Sequence, residues 1–276
     1  TWGGVRTRAR ELVAAGRWTE QWDYVLVDEA QDLRPNALAL CLELARSPQG
    51  VFLTADANQS LYNRGFRWDD VHASLRFRGR TAVLRKNYRS TRQLSEAAAD
   101  VAFELDDRDV ETLAQETVCT GIQPVLGLRR GHAAQLDWLV DAMHRAAIRL
   151  RAPFSAAAIL APSNKLAEEL EQQLRARGVA ARFMRGGDLD LDAPVLKILT
   201  LHSAKGLEFP IVAIPFVEEG LLPRSLGVAQ SEDRQEHLNA GRRLLFVGCT
   251  RAMRALLLAS DPERRSPFLD SLSSER

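Results

Sequence analysis

Short apolar runs that stop abruptly at polar or acidic residues recur along these 276 residues, and they restrict the fold more than any other feature. Tyr24-Val25-Leu26-Val27 stops at Asp28-Glu29, and Val51-Phe52-Leu53 stops shortly before Asp56. Runs of this length, without polar alternation, are the pattern of strands buried in a parallel sheet. Thr81–Leu84 reads as a third. Pro35 opens a helix running to about Ser47, because proline is tolerated in the first helical turn. From Asn87 onward, helix-length and strand-length segments alternate. Helices are expected at Thr91–Glu104, Ala133–Leu150, Asn164–Arg177 and Glu232–Leu245. Strands are expected at Pro124–Leu128, Ala157–Leu160, Ala181–Met184, Val195–Leu199, Ile211–Ile214 and Ala255–Leu258. Such alternation defines an α/β fold with largely parallel sheets, where ligands gather at the carboxyl ends of strands. The polar motifs are expected there.

Composition narrows the function. Net charge is +1, so any nucleic-acid binding comes from a local groove and not from a bulk basic field. Cys41, Cys119 and Cys249 lie far apart, with neither metal-ligand spacing nor a disulfide framework, which fits a reducing, cytoplasmic setting. No apolar run reaches the roughly 18–20 residues of a membrane span. The acidic runs Asp106–Asp109 and Gly186–Asp192 read as solvated turns; the second lacks the glycine and terminal glutamate of a calcium loop.

A strand followed by Asp28-Glu29 can present one carboxylate to a Mg²⁺ and a second to an attacking water. Alone, the pair is equally an N-cap or a surface turn. The longer string Val27-Asp28-Glu29-Ala30-Gln31-Asp32 is far more specific, and it resembles the Walker B motif of UvrD/Rep-like superfamily 1 DNA helicases. Four further strings resemble later motifs of that family, in its order: Leu53–Tyr62, Leu84–Ser90, Leu199–Phe209 and Arg243–Ala252.

The resemblance implies RecA-like P-loop NTPase lobes that hold ATP between them. It divides the chain into part of a first motor domain (residues 1–86) and a near-complete second one (residues 87–276). It also implies roles. Asp28 would hold Mg²⁺, Glu29 would activate water and Gln59 would sense the γ-phosphate. Arg89 and Arg251 would stabilise charge on the transferring phosphoryl group. Tyr88 would stack on adenine and Glu208 would bind the ribose. Thr200 and His202 match positions that contact the DNA backbone. Phe66, Arg67 and Trp68 follow the third motif, where the family places an aromatic that stacks on a single-stranded base for roughly 1–3 kcal/mol. The family's Tyr-Gly-Trp-Arg-Gly is replaced here by Tyr62-Asn63-Arg64-Gly65-Phe66-Arg67-Trp68, so either Phe66 or Trp68 can be the stacking ring.

Two departures stand out. No G-x-x-x-x-G-K-[ST] phosphate loop occurs in these residues. In the family it precedes Walker B, so an upstream truncation is the simplest expectation and a non-hydrolysing remnant the alternative. Met184–Val195 also offers only a short acidic turn where the family commonly inserts a large helical subdomain (2B). The implied activity is ATP-dependent translocation, 3′ to 5′, on single-stranded DNA or a single-strand/duplex junction. A binding module, a docking piece of a repair complex and a motor subunit of a helicase–nuclease remain open alternatives.

Overall fold

The computed structural model describes residues 2–30, 33–55, 82, 84, 86–102, 116–225, 234–270 and 272. The chain divides into two compact units, Thr1–Val83 and Leu84–Arg276. Both are mixed α/β structures built on parallel strands, as the alternation of apolar runs and helices predicts.

The first unit comprises α1 (Trp2–Ala14), β1 (Val25–Val27), α2 (Pro35–Glu43) and β2 (Val51–Leu53). β1 and β2 pair in parallel, with Val25 opposite Val51 and Val27 opposite Leu53. Val27, Ala30, Leu38 and Leu42 form the core, and Val25, Val51 and Leu53 pack against it. Among the described residues, only one face of the sheet is covered. Tyr24, Leu26 and Phe52 are 76%, 74% and 61% exposed, which corrects the reading of these strands as wholly buried. α2 begins at Pro35 as expected but stops at Glu43, short of Ser47. Trp22 ends it: its N–H donates to Leu44 O (3.0 Å) and its carbonyl accepts from Arg46 N (2.8 Å). That bridge draws the chain out of the helical path. α1 was not anticipated, since its sequence carries no strong apolar stripe; Arg10 of α1 pairs with Glu43 of α2 at 2.7 Å.

The second unit contains β3 (Lys86–Thr91), α3 (Arg92–Ala102), β4 (Glu116–Cys119), β5 (Val125–Leu128), α4 (His132–Leu150), β6 (Ala157–Ala161), α5 (Asn164–Ala176), β7 (Ala181–Phe183), β8 (Leu196–Thr200), β9 (Phe209–Ile214), α6 (Arg234–Cys249) and β10 (Ala252–Ser260). Six strands form one parallel sheet in the order β5-β10-β9-β6-β8-β7, and β3 and β4 form a separate parallel pair. α4 and α5 cover one face of the large sheet. Leu136, Leu139 and Met143 of α4 and Leu170 and Leu174 of α5 join Ile159, Ile198, Ile211 and Leu257 in one core. α6 covers the other face, where Gly248 approaches Leu201, Ile214 and Leu160. Burial on both faces explains why β6 and β8 are fully buried along their length.

Of the expected third strand, Ala82 and Leu84 belong to no strand, and Thr81 and Val83 lie outside the described residues. So do Asp106–Asp109. β3 and β4 were not anticipated. The connection from β7 to β8 is a surface turn closed by Asp190, whose Oδ1 accepts from Asp192 N (3.2 Å) and Ala193 N (3.0 Å).

Gly127 of β5 is required by a close approach. A Cβ there would lie 2.5 Å from the ring of Trp138 on α4. Gly127→Ala is therefore expected to cost roughly 1–3 kcal/mol by overpacking. Urea denaturation of the chain checks this, and an unchanged midpoint would contradict it.

Candidate functional site

In the first unit the strand ends carry the acids. β1 and β2 run in parallel, so Asp28 and Thr54 emerge side by side at their carboxyl ends. The Thr54 hydroxyl donates to Asp28 Oδ1, and Thr54 N donates to Val27 O at 2.9 Å. Glu29 N donates to Asp28 Oδ1 at 3.0 Å and reaches Thr54 Oγ1 at 3.3 Å. Ala30 N then donates to Thr54 O (2.9 Å). These bonds hold Glu29 at φ 51°, in the left-handed region that side-chain-bearing residues rarely occupy. Stored backbone strain of this kind costs of order 1–3 kcal/mol and collects at functional sites. Both carboxylates are exposed. Among the described residues the hydrogen bonds to Asp28 fall on Oδ1, which leaves Oδ2 for a cation. Among the described residues no cluster of three or more metal-ligating side chains exists. Two exposed carboxylates fit Mg²⁺, which is usually held by one or two protein oxygens together with substrate phosphates and water. Thr54 lies within the third motif but was not singled out; only the pairing of β1 with β2 reveals it.

In the second unit Arg89, Glu208 and Arg251 converge. Glu208 immediately precedes β9 and Arg251 immediately precedes β10, and these strands pair with Ala252 opposite Phe209. Phe209 N donates to Arg251 O at 2.9 Å. Arg89 of β3 is brought to the same edge, where its Nε pairs with Glu208 Oε1 at 2.5 Å. This is the amino edge of the sheet, which corrects the expectation that all polar motifs sit at carboxyl ends. The loop before a strand, not the one after it, carries both residues.

The two arginines differ in their surroundings. Arg89 and Glu208 are 46% and 32% exposed. Pairs so accessible to water contribute only about 0–1 kcal/mol, so a phosphate can replace the carboxylate at little cost. Arg251 is 2% exposed. Its Nε donates to Val247 O (3.0 Å), one terminal nitrogen to Leu207 O (3.3 Å) and the other to Thr250 Oγ1 (2.9 Å). Its guanidinium is thus turned into the protein, where the reading of an outward-reaching arginine did not expect it. Tyr88 is 65% exposed on β3, with its ring accessible for stacking.

Thr200 and His202 lie at the opposite, carboxyl edge of the same sheet, at the end of β8. Thr200 is buried; its Oγ1 contacts Ser203 Oγ at 2.7 Å and accepts from Ser203 N at 3.1 Å, closing the turn that follows. His202 is exposed on that turn, yet its ring is shielded enough for burial to lower its pKa below the usual histidine value. Gln59, Phe66, Arg67 and Trp68 lie outside the described residues.

The fold and its loops define a class: parallel-sheet α/β units with acids after the strands of one and arginines before the strands of the other. A model of the UvrD/REP helicase N-terminal domain matches residues 7–81, and a model of the UvrD-like helicase C-terminal domain matches residues 187–261; together they take in more than half of the chain. Over 258 residues, or 91% of its length, the chain is 28% identical to a probable DNA helicase of Mycoplasma pneumoniae, of which it covers 45%. It is 35% identical over 102 residues to the ATP-dependent DNA helicase Rep of Escherichia coli, covering 35% of this chain and 14% of Rep. A solved C-terminal domain of a possible DNA helicase from Lactobacillus plantarum is 25% identical, with a TM-score of 0.49, and the match covers 68% of this chain and 94% of that one. The chain belongs to the UvrD/Rep-like superfamily 1 helicases. It spans less than half the length of these curated relatives.

Cys249 is the last residue of α6, two residues before Arg251, and is fully buried, and burial pushes its thiol pKa up to about 12. It is expected to resist a disulfide thiol reagent in the native chain at pH 8 and to react once urea unfolds it. Rapid native labelling of Cys249 would contradict the packing described for α6.

Proposed function

We propose that this chain is part of an ATP-driven DNA helicase or translocase that moves 3′ to 5′ on single-stranded DNA or at a single-strand/duplex junction. The observation that carries the reading is the convergence of Arg89, Glu208 and Arg251 at one sheet edge, in a chain that also bears the Asp28-Glu29 strand end. The homologues named above are DNA helicases, Rep being ATP-dependent, which supports nucleotide use and a DNA substrate.

In this reading residues 1–86 are the end of a first RecA-like motor domain, and residues 87–276 are a second without the 2B insertion. Asp28 would hold Mg²⁺, with Thr54 fixing its carboxylate. The ion would neutralise phosphate charge. Glu29 accepts a proton from the attacking water. Arg89 exchanges Glu208 for the γ-phosphate, and the released Glu208 binds ribose hydroxyls. Tyr88 stacks on adenine. Arg251 turns outward to meet phosphoryl charge, giving up internal acceptors such as Val247 O and Leu207 O for a stronger anionic one. Gln59 relays the γ-phosphate state. Thr200, His202 and Arg67 contact the DNA backbone, and Phe66 or Trp68 stacks on a base. A cytoplasmic setting belongs to the same reading, and no helix among the described residues is long and apolar enough to cross a membrane.

ATP hydrolysis by the full-length protein, with and without single-stranded DNA, tests this. Glu29→Gln is expected to abolish turnover and keep ATP binding; retained turnover would overturn the role of Glu29. The 276-residue chain by itself is expected to hydrolyse ATP negligibly, because no phosphate-loop string occurs in it. DNA-stimulated turnover by the chain alone would show that another segment cradles the phosphates. A second reading, a DNA-binding remnant without hydrolysis, predicts no turnover in the full-length protein either.

His202 provides a pH test. Burial lowers its pKa, so at pH 7–8 it is neutral, and it gains charge only at a pH below the usual histidine range. Its contact with a DNA phosphate should therefore strengthen on acidification. The affinity lost on His202→Ala is expected to be roughly two- to tenfold at pH 7.5, the worth of about one hydrogen bond, and to grow as the pH is lowered far enough to charge the ring. Fluorescence anisotropy with labelled oligo-dT measures it, and a loss that shrinks on acidification would contradict the contact.

A further inference from the structure

β10 does not pair regularly with β9. Ala252 lies opposite Phe209, but the next pair is Ala255 opposite Ile211, so Met253 and Arg254 together face Pro210. Proline has no N–H for a ladder, and in a sheet interior it is found at bulges. A bulge bends the strand and re-aims a side chain. Here the side chain is that of Arg254, whose Nη1 donates to Arg89 O at 3.2 Å and to Met253 O at 3.1 Å.

Arg89 needs such a partner. It lies in β3 between Asn87, opposite Thr117, and Thr91, opposite Cys119, where the register with β4 shifts. The regular ladder is broken at this point. Arg254 supplies a hydrogen bond to the backbone there while Glu208 holds the side chain. Arg251, three residues before Arg254, immediately precedes β10 at the same edge.

We propose that Arg254, which lies outside the five motifs, is a positioning residue for Arg89: from the β10 bulge it clamps the Arg89 carbonyl and holds that arginine beside Arg251. The proposal rests on the reading of Arg89 as a phosphate-binding arginine. Arg254 itself does not touch the nucleotide. It removes backbone freedom that would let Arg89 drift from its working position, and displacements of about 1 Å at such groups cost as much as 100-fold in rate.

The test is steady-state ATP hydrolysis by the full-length protein with saturating single-stranded DNA. Arg254→Ala is expected to lower kcat roughly ten- to hundredfold, with KM for ATP changed less than threefold. Arg254→Lys, which still donates to the carbonyl, is expected to recover at least part of the loss. In an Arg89→Ala background the added Arg254→Ala change is expected to do almost nothing, because a coupled pair is non-additive. Arg254→Ala with kcat within twofold of the parent overturns the proposal. So does an equal proportional loss in the presence and absence of the Arg89 side chain, which would mark Arg254 as merely structural. If Arg89→Ala itself leaves turnover unchanged, or the parent has no turnover, the phosphate role of Arg89 fails and this role with it.

Discussion

The parallel ladder between β9 and β10 is the contact on which the second unit's architecture depends. It sits inside the six-stranded sheet, joins β5 on one side to β6 on the other, and is apolar on both faces. Its amino end brings Glu208 and Arg251 together, because each residue immediately precedes its strand. Ile211, Ala213, Val212 and Ile214 are fully buried, and so is Ala255. The arginine edge therefore stands on a rigid base. Catalytic groups held by regular elements keep their geometry better than groups carried on loops.

The same sheet holds two groups of polar residues apart. Arg89, Glu208 and Arg251 occupy its amino edge, whereas Thr200 and His202 occupy its carboxyl edge. One segment, from Thr200 to Phe209, runs from one edge to the other. At its start Thr200 closes a turn through Ser203; near its end Leu207 O accepts from Arg251 and Glu208 pairs with Arg89. The connection is short and anchored at both ends. A displacement at the turn after Thr200 has a direct covalent route to the partners of both arginines. Such a segment can couple two ligands only if each binds its two arrangements differently. The internal partners of Arg251 supply one arrangement; in the proposed function, an arginine turned toward phosphate would supply the other.

Much of this was readable from residue patterns, for identifiable reasons. β6, β8 and β9 are covered on both faces, so their sequences are almost uniformly apolar. β3 was not readable. Lys86-Asn87-Tyr88-Arg89-Ser90-Thr91 pairs through its backbone and leaves Tyr88 and Arg89 exposed, so it lacks the apolar signal of a strand. Tyr24, Leu26 and Phe52 misled in the opposite direction, being apolar yet uncovered. At the site, Asp28 and Glu29 were visible as acids at a strand end, and Arg89, Glu208 and Arg251 through their motifs. Thr54 and Arg254 were not. Their parts arise from the pairing of β1 with β2 and from a bulge opposite Pro210, neither of which a residue type announces.

The central claim is that DNA at one edge of this sheet and nucleotide at the other are energetically linked. The most direct measurement is the affinity of the full-length protein for oligo-dT, in the absence and in the presence of a saturating non-hydrolysable ATP analogue, together with the analogue's affinity with and without DNA. The account predicts that each ligand changes the other's affinity by the same factor, roughly 5- to 150-fold for typical coupled sites. Identical affinities in the two conditions would show that the edges act independently and would contradict it.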